Sequence, residues 1–314
     1  MSSLPSTEMA LLFETEIQTG AWKMKCFYHS ADLDGHCSGA IIRAKYPECV
    51  MIGTDYNRPF NWDCIGPDEI VYMVDMSLQP FDRMVRLADT CGHLVWIDHH
   101  KTAMDDYSKC GRHIGGLREI GKAACELVWE YFSPDPVLTP APVYLLGRYD
   151  VFDLEDDTVL HFQYGMRALD TDPADPKTIA LWETLLCLDD RIRDRIADRI
   201  EDICCAGRHI LNYINTDNGK YARSAAFSVE LDGMRCIAIN KMATNSQLFD
   251  SVWNQDRYDA MLAFGWRNGG WVVSLYSDKP DVDVSRVAKN HGGGGHANAA
   301  GFHCRHLPFA LLGR

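Results

Sequence analysis

At 314 residues the chain exceeds what one compact core usually holds, so two domains are expected. Its composition, 46% hydrophobic and 24% charged, is that of an ordinary globular protein and excludes long low-complexity stretches. A net charge of −13 argues against a binder of long duplex nucleic acid, which neutralises phosphates with Lys and Arg; it leaves room for small anions held through metal ions. No apolar run approaches the about 18 residues of a membrane span. Residues 1–25 lack the basic-then-apolar order of a signal peptide, so a cytoplasmic protein with no membrane contact is expected. The twelve cysteines are scattered from Cys26 to Cys304 with no C-x-x-C pair, which reads as reduced core thiols.

In chain order, the first half alternates strand-like and helix-like runs, the pattern of a parallel sheet with helices on both faces. Strands are expected at 25–28, 50–54, 70–74 and 93–97, with helices at 36–46 and 81–90 between them. Residues 119–132, 141–149 and much of 174–213 read as helical. Within the last of these, Ile192, Ile196, Ile200 and Ile203 recur at helical spacing between charged residues, an amphipathic connector. It is expected to end at the polar, turn-prone stretch 215–219. Beyond that point the pattern changes to hairpins around Asp232-Gly233 and Asn268-Gly269-Gly270, with helical stretches at 246–254 and 284–290. The expected organisation is an N-terminal extension over 1–23, an α/β domain over 24–190, a helical connector over 191–219 and a smaller α+β domain over 220–314.

The acidic and histidine residues of the first half gather just past the ends of the expected strands. His29, Asp32 and Asp34 follow the first, Asp75 the third, and Asp98, His99 and His100 the fourth. Taken singly, each has a bland reading: a helix cap, a turn or a surface pair. In open parallel sheets, however, ligands bind outside the carboxyl ends of the strands, so three such clusters can share one crevice. Carboxylates brought that close repel unless cations lie between them. Mixed imidazole and carboxylate donors suit manganese, magnesium, iron or zinc.

Asp98-His99-His100, preceded by Leu94-Val95-Trp96-Ile97, resembles the signature of the DHH phosphoesterases. His29-Ser-Ala-Asp32-Leu-Asp34-Gly35 resembles that family's first motif, Val74-Asp75-Met-Ser its second, and Arg148-Tyr149-Asp150 its fourth. Gly292-Gly293-Gly294-Gly295-His296-Ala-Asn-Ala-Ala-Gly301-Phe302 is similar to the glycine-rich motif of the family's associated C-terminal domain. The resemblance runs over residues 24–303.

That resemblance implies an N-terminal catalytic domain and a C-terminal substrate-binding domain, with the site in a cleft between them. It implies two divalent ions, manganese first and magnesium second. His29, Asp32 and Asp75 would hold one, and Asp34, Asp75, His99 and Asp150 the other, with Asp75 shared. Asp153 stands as a rival to Asp150. Asp98 would fix a histidine tautomer, and His100 would face the substrate as donor or general acid. Lys101, Gly293, Gly294, Gly295 and His296 would bind the substrate. Four successive glycines each raise the entropy cost of ordering and are not explained by packing; close backbone approach to an anion explains them. Tyr56-Asn57-Arg58, after the second strand, can line the same cleft. The activity implied is two-metal hydrolysis of phosphodiester bonds in short oligonucleotides or dinucleotides. The alternatives are a pyrophosphatase or polyphosphatase, and a catalytically silent nucleotide-binding protein. A homodimer is left open. The sequence departs from many nucleotide-cleaving relatives at Tyr276, where they carry arginine.

Overall fold

The structure, a computed structural model, describes residues 23–56, 58–133, 138–187 and 189–311. The expected extension over 1–23 therefore lies outside the described residues except for Lys23, as does Asn57. By chain contacts the protein divides into two compact units. One takes in the residues up to His99 together with Asp106–Gly207, the other His100–Asp105 and everything from Arg208 on.

The first unit is built on β1 (Lys23–His29), α1 (Leu33–Lys45), β2 (Val50–Thr54), β3 (Glu69–Val74), α2 (Asp82–Thr90) and β4 (His93–Ile97). All strand pairs are parallel, in the order β2-β1-β3-β4. Alternate side chains of the central strands enter different layers, as the two-residue period of a strand requires. Met24, Cys26 and Tyr28 of β1, Ile70, Tyr72 and Val74 of β3, and Val95 and Ile97 of β4 join a core completed by helices. Those helices are α1, α4 (Ala124–Phe132), α5 (Ala141–Asp150), α6 (Asp157–Met166) and α7 (Ile179–Leu185). On the opposite face Phe81, at the start of α2, packs on Trp96 with ring centroids 5.4 Å apart. Helices thus cover both faces, which is why β3 is buried along its whole length.

A short α3 (Lys101–Tyr107) follows β4. The helix expected over 119–132 starts only at Ala124, a correction with a physical cause. Gly121 turns left-handed at φ +92 and Ala123 is extended at ψ 157, so the helix can open only after them.

The connector also differs from expectation. Helix α8 (Arg193–Ala225) runs straight through 215–219. Its turn-prone residues have partners there: Thr216 donates back to the Asn212 carbonyl, and buried Asn218 accepts from Lys241 Nζ at 2.8 Å. Among the described residues, no helix is long and apolar enough to cross a membrane.

The second unit carries a seven-stranded sheet of β5 (Phe227–Leu231), β6 (Met234–Asn240), β7 (Ala260–Arg267), β8 (Gly270–Tyr276), β9 (Gly294–Gly295), β10 (Ala299–Cys304) and β11 (Ala310–Leu311). The order is β11-β5-β6-β7-β8-β10-β9, with only β6 and β7 parallel. Both expected hairpins are present, with Asp232 and Asn268 at positive φ in their turns. Of the helical stretch expected at 246–254 only a 3-10 turn, Ser246–Phe249, forms; α9 (Val284–Asn290) forms over the whole of 284–290.

Candidate metal centre

Because β1, β3 and β4 are parallel neighbours, their carboxyl ends lie side by side, and each delivers a chemically active residue there. His29 ends β1. Asp32 is the N-cap of α1, accepting from Gly35 N at 2.9 Å, and its other oxygen lies 2.8 Å from His29 Nδ1. Gly35 has a steric reason: a Cβ there would sit 2.0 Å from the His29 carbonyl oxygen, so α1 can begin against the end of β1 only with glycine.

Asp34, in the first turn of α1, is buried. Its carboxylate accepts from Ala124 N at 2.8 Å and Cys125 N at 2.7 Å, the opening amides of α4. Asp75 follows β3 at φ +58, a left-handed conformation uncommon for a residue with a side chain. That turn sends its carboxylate inward, 3.5 Å from His29 Nδ1 and 3.3 Å from His99 Nε2. His99 Nε2 also lies 3.5 Å from Asp34 and 3.2 Å from Asp150, the last residue of α5.

Within the first unit two groups of donor atoms result, His29–Asp32–Asp75 and Asp34–Asp75–His99, each with its atoms within 4.8 Å of one another. Asp75 belongs to both. Asp150 is drawn in on the His99 side, whereas Asp153 faces Arg148, 3.5 Å from its Nη1.

The electrostatics follow from packing several carboxylates and two imidazoles into a buried space. Burial drives Asp75 well above the ordinary carboxylate range, and the nearby Asp34 and Asp32 push it further. Asp150 is likewise driven up by burial and by Asp34 and Asp75, with His99 opposing. Burial favours neutral His29 and His99, but the surrounding aspartates outweigh it and raise both. Asp75 Oδ2 and Asp150 Oδ2 are buried without a hydrogen bond of good geometry. Oxygen and imidazole donors in this number, buried and partly unsatisfied, fit divalent ions.

Asp98 is fully buried. One oxygen accepts from His99 N at 2.8 Å and the other from the Trp96 indole N–H at 3.1 Å. The same indole also donates to the Met76 carbonyl at 3.0 Å, tying β4 to the turn that carries Asp75. Sequence reasoning missed this tie and the α4 amides on Asp34, since neither an indole N–H nor a backbone amide leaves a motif. Tyr56, half exposed, meets His29 edge-on with centroids 5.7 Å apart. Its hydroxyl end is buried beside Ser77, and that burial, reinforced by Asp98 and Asp75, raises its pKa.

The remaining expected residues belong to the second unit. There the His100 and His296 rings stack with centroids 4.6 Å apart, and Lys101 Nζ pairs with Asp105 at 3.2 Å and Asp283 at 3.8 Å. The glycine run corrects the expectation that packing cannot account for it. A Cβ at Gly293 would lie 2.0 Å from the Gly301 carbonyl oxygen, and Gly295 sits at φ +136 with Ala299 O 2.6 Å from its missing Cβ. The amides of Gly292, Gly293 and His296 donate to Lys289, Ala288 and Ala299 carbonyls, while Gly294 and Gly295 form β9. At Tyr276 the hydroxyl donates to the Thr244 carbonyl at 3.0 Å.

No family model matches the chain. Uncharacterized protein R106 of Acanthamoeba polyphaga mimivirus is 25% identical over 241 residues, 74% of this chain and 52% of its own length, so the chain spans about half of that relative. Among solved structures, an exopolyphosphatase-related protein from Bacteroides fragilis matches with a TM-score of 0.52 and 14% identity, over 98% of this chain and 94% of that one. The fold is of the DHH type. The pGpG-specific phosphodiesterase PggH from Vibrio cholerae matches more loosely, with a TM-score of 0.46 and 13% identity over 90% and 93% of the two chains. At 14% identity the likeness to the exopolyphosphatase-related protein concerns the fold alone.

Proposed function

We propose that this protein is a divalent-metal-dependent phosphoesterase that hydrolyses phosphodiester bonds in short oligonucleotides or dinucleotides. The observation that carries the proposal is the shared Asp75 carboxylate, common to a His29–Asp32 group and an Asp34–His99 group. Two divalent ions held at such a pair of groups lower the pKa of water and offset charge on a transferring phosphoryl group. The chain's own residues provide for this. His29, Asp32 and Asp75 would hold one ion, and Asp34, Asp75, His99 and Asp150 the other. Asp98, gripped by Trp96, fixes the backbone of His99, and the α4 amides aim Asp34. His100 is assigned to the substrate as donor or general acid, and His296 with the 292–295 segment to its far end. Manganese is the proposed metal, with magnesium second.

A phosphoanhydride hydrolase is the second reading, favoured by the likeness to the exopolyphosphatase-related protein of Bacteroides fragilis. The experiment that separates them is a product assay with added Mn²⁺ against dinucleotides, trinucleotides, cyclic dinucleotides, pyrophosphate and polyphosphate. Mononucleotide release from the short linear substrates is expected. Turnover of pyrophosphate or polyphosphate alone would replace this reading with the second.

A further inference from the structure

Helix α4 does more than fill the core beside the metal centre. Its first turn touches two of the candidate ligands, one directly and one through a charged pair. Directly, the amides of Ala124 and Cys125 hold both oxygens of Asp34, at 2.8 and 2.7 Å. One residue on, the Glu126 carboxylate turns back to accept from Ala123 N at 3.1 Å, which fixes the start of the helix. The same oxygen, Oε2, accepts from Arg148 Nη2 at 2.6 Å. Arg148 sits on α5, two residues before Asp150. Glu126 and Arg148 are mostly buried, at 15% and 19% side-chain exposure, so the pair is shielded from the screening that makes surface pairs weak. Gly147 completes the joint: a Cβ there would come within 2.7 Å of Glu126 Cδ.

We infer that the Glu126–Arg148 pair is a positioning device that sets Asp34 and Asp150 for a common ion, without touching the His29–Asp32 group. The inference rests on the metal reading above. Its physical basis is that Asp34 and Asp150 come from different helices, α1 and α5, and α4 is clamped to both. Asp34 is tied to the amides of α4, and α5 is tied to Glu126. Breaking the pair frees the last turn of α5 to move relative to Asp34, while β1 and the N-cap of α1 keep His29 and Asp32 where they are. Losing such supporting contacts around a metal site typically costs about 10- to 100-fold in metal affinity.

The test is Mn²⁺ titration of the whole chain by calorimetry, with electron paramagnetic resonance to count bound ions. The variants are Glu126→Gln, which keeps an acceptor for Ala123 N, and Arg148→Met, with Arg148→Lys as the conservative control. Melting curves establish that each is folded. The unaltered chain is expected to bind two ions. Glu126→Gln and Arg148→Met are each expected to weaken one of them by roughly 10-fold or more and leave the other unchanged. The double variant should be no worse than either single one, because the two residues act as one joint. Arg148→Lys should recover part of the loss. If turnover follows binding, the defect appears as a raised Mn²⁺ requirement that saturating Mn²⁺ largely corrects. Two unchanged affinities in the folded variants, or equal weakening of both, would overturn the positioning role alone. An unaltered chain that binds no Mn²⁺ would overturn the metal reading and this inference with it.

Discussion

Asp75 and His99 face each other across 3.3 Å, although they leave different strands, and Asp75 can do so only because its backbone turns left-handed at φ +58. A strained residue costs on the order of 1–3 kcal/mol and persists where its surroundings fix it. Its second oxygen reaches toward His29, which makes Asp75 the member common to both donor groups. Asp75→Ala therefore removes a contact from both proposed ions at once. Bound Mn²⁺ should fall for both, and turnover should drop by at least about two orders of magnitude, given that supporting contacts alone are worth 10- to 100-fold. Metal analysis beside steady-state rates checks this. Normal metal content at a normal rate would remove Asp75 from the centre.

The titrations of the centre predict an unusual pH dependence for the metal-free protein. His29 and His99 have folded pKa values above 6.5, so the stability they contribute is full below 6.5 and is lost as pH rises through the folded values. Asp75 and Asp150 are raised above 3.8, so the folded chain keeps protons that the unfolded chain has released, and stability again falls as pH rises. All four act with the same sign. Glu69 and Asp259 are lowered and act oppositely near and below the ordinary carboxylate range, and His36 and His93, lowered by burial, act oppositely as pH rises toward 6.5. Between about pH 6.5 and 8 in chelator, where the lowered histidines no longer titrate, the melting temperature should fall. Mn²⁺ competes with those protons, so the stabilisation it gives should grow over the same interval. A melting temperature independent of pH in chelator would contradict the shared sign.

Much of this was legible because strands and their carboxyl ends leave a pattern. The runs 50–54 and 93–97 coincide with strands, and the acidic and histidine residues after the first, third and fourth strands mark where the sheet opens. Sequence could not show the order β2-β1-β3-β4, which decides that His29, Asp75 and His99 are neighbours. Helix α6 escaped because its buried face, from Val159 to Met166, has no polar stripe opposite it; its cap, Asp156 accepting from Thr158 N, was the available signal. The helix end placed at 215–219 failed because Asn218 has a tertiary partner in Lys241, and tertiary contacts override turn propensity. The glycine run misled for the opposite reason. Its glycines answer to backbone atoms of β10 that are remote from any local pattern.

Those steric contacts make the glycines testable. Gly293→Ala drives a Cβ to 2.0 Å from the Gly301 carbonyl oxygen, and Gly295→Ala adds one at φ +136. Each should destabilise the second unit by about 1–3 kcal/mol, read as a lower unfolding midpoint in urea. Gly294→Ala meets only the Thr102 side chain, at 3.0 Å, and should cost less. Equal tolerance of alanine at all three positions would mean the run is not held by packing.

The assignment of His296 to substrate and His99 to metal predicts that the two histidines fail differently. His99 Nε2 lies among the carboxylates of Asp34, Asp75 and Asp150, so His99→Ala should deplete bound Mn²⁺ and lower turnover on every substrate. His296 stacks on His100 in the second unit, and its backbone N–H is engaged by the Ala299 carbonyl, which leaves the imidazole as its chemical contribution. His296→Ala should leave Mn²⁺ content intact. One charge-assisted hydrogen bond is worth about 1.5–3 kcal/mol, so kcat/KM on a dinucleotide should fall roughly ten- to hundred-fold. A nitrophenyl phosphodiester is too short to offer a far end and should be hydrolysed nearly as well as by the unaltered chain. The decisive comparison is kcat/KM on both substrates, with metal content, for both variants. Loss of Mn²⁺ from His296→Ala, or an equal loss on the small ester, would sink the division of labour between the two histidines.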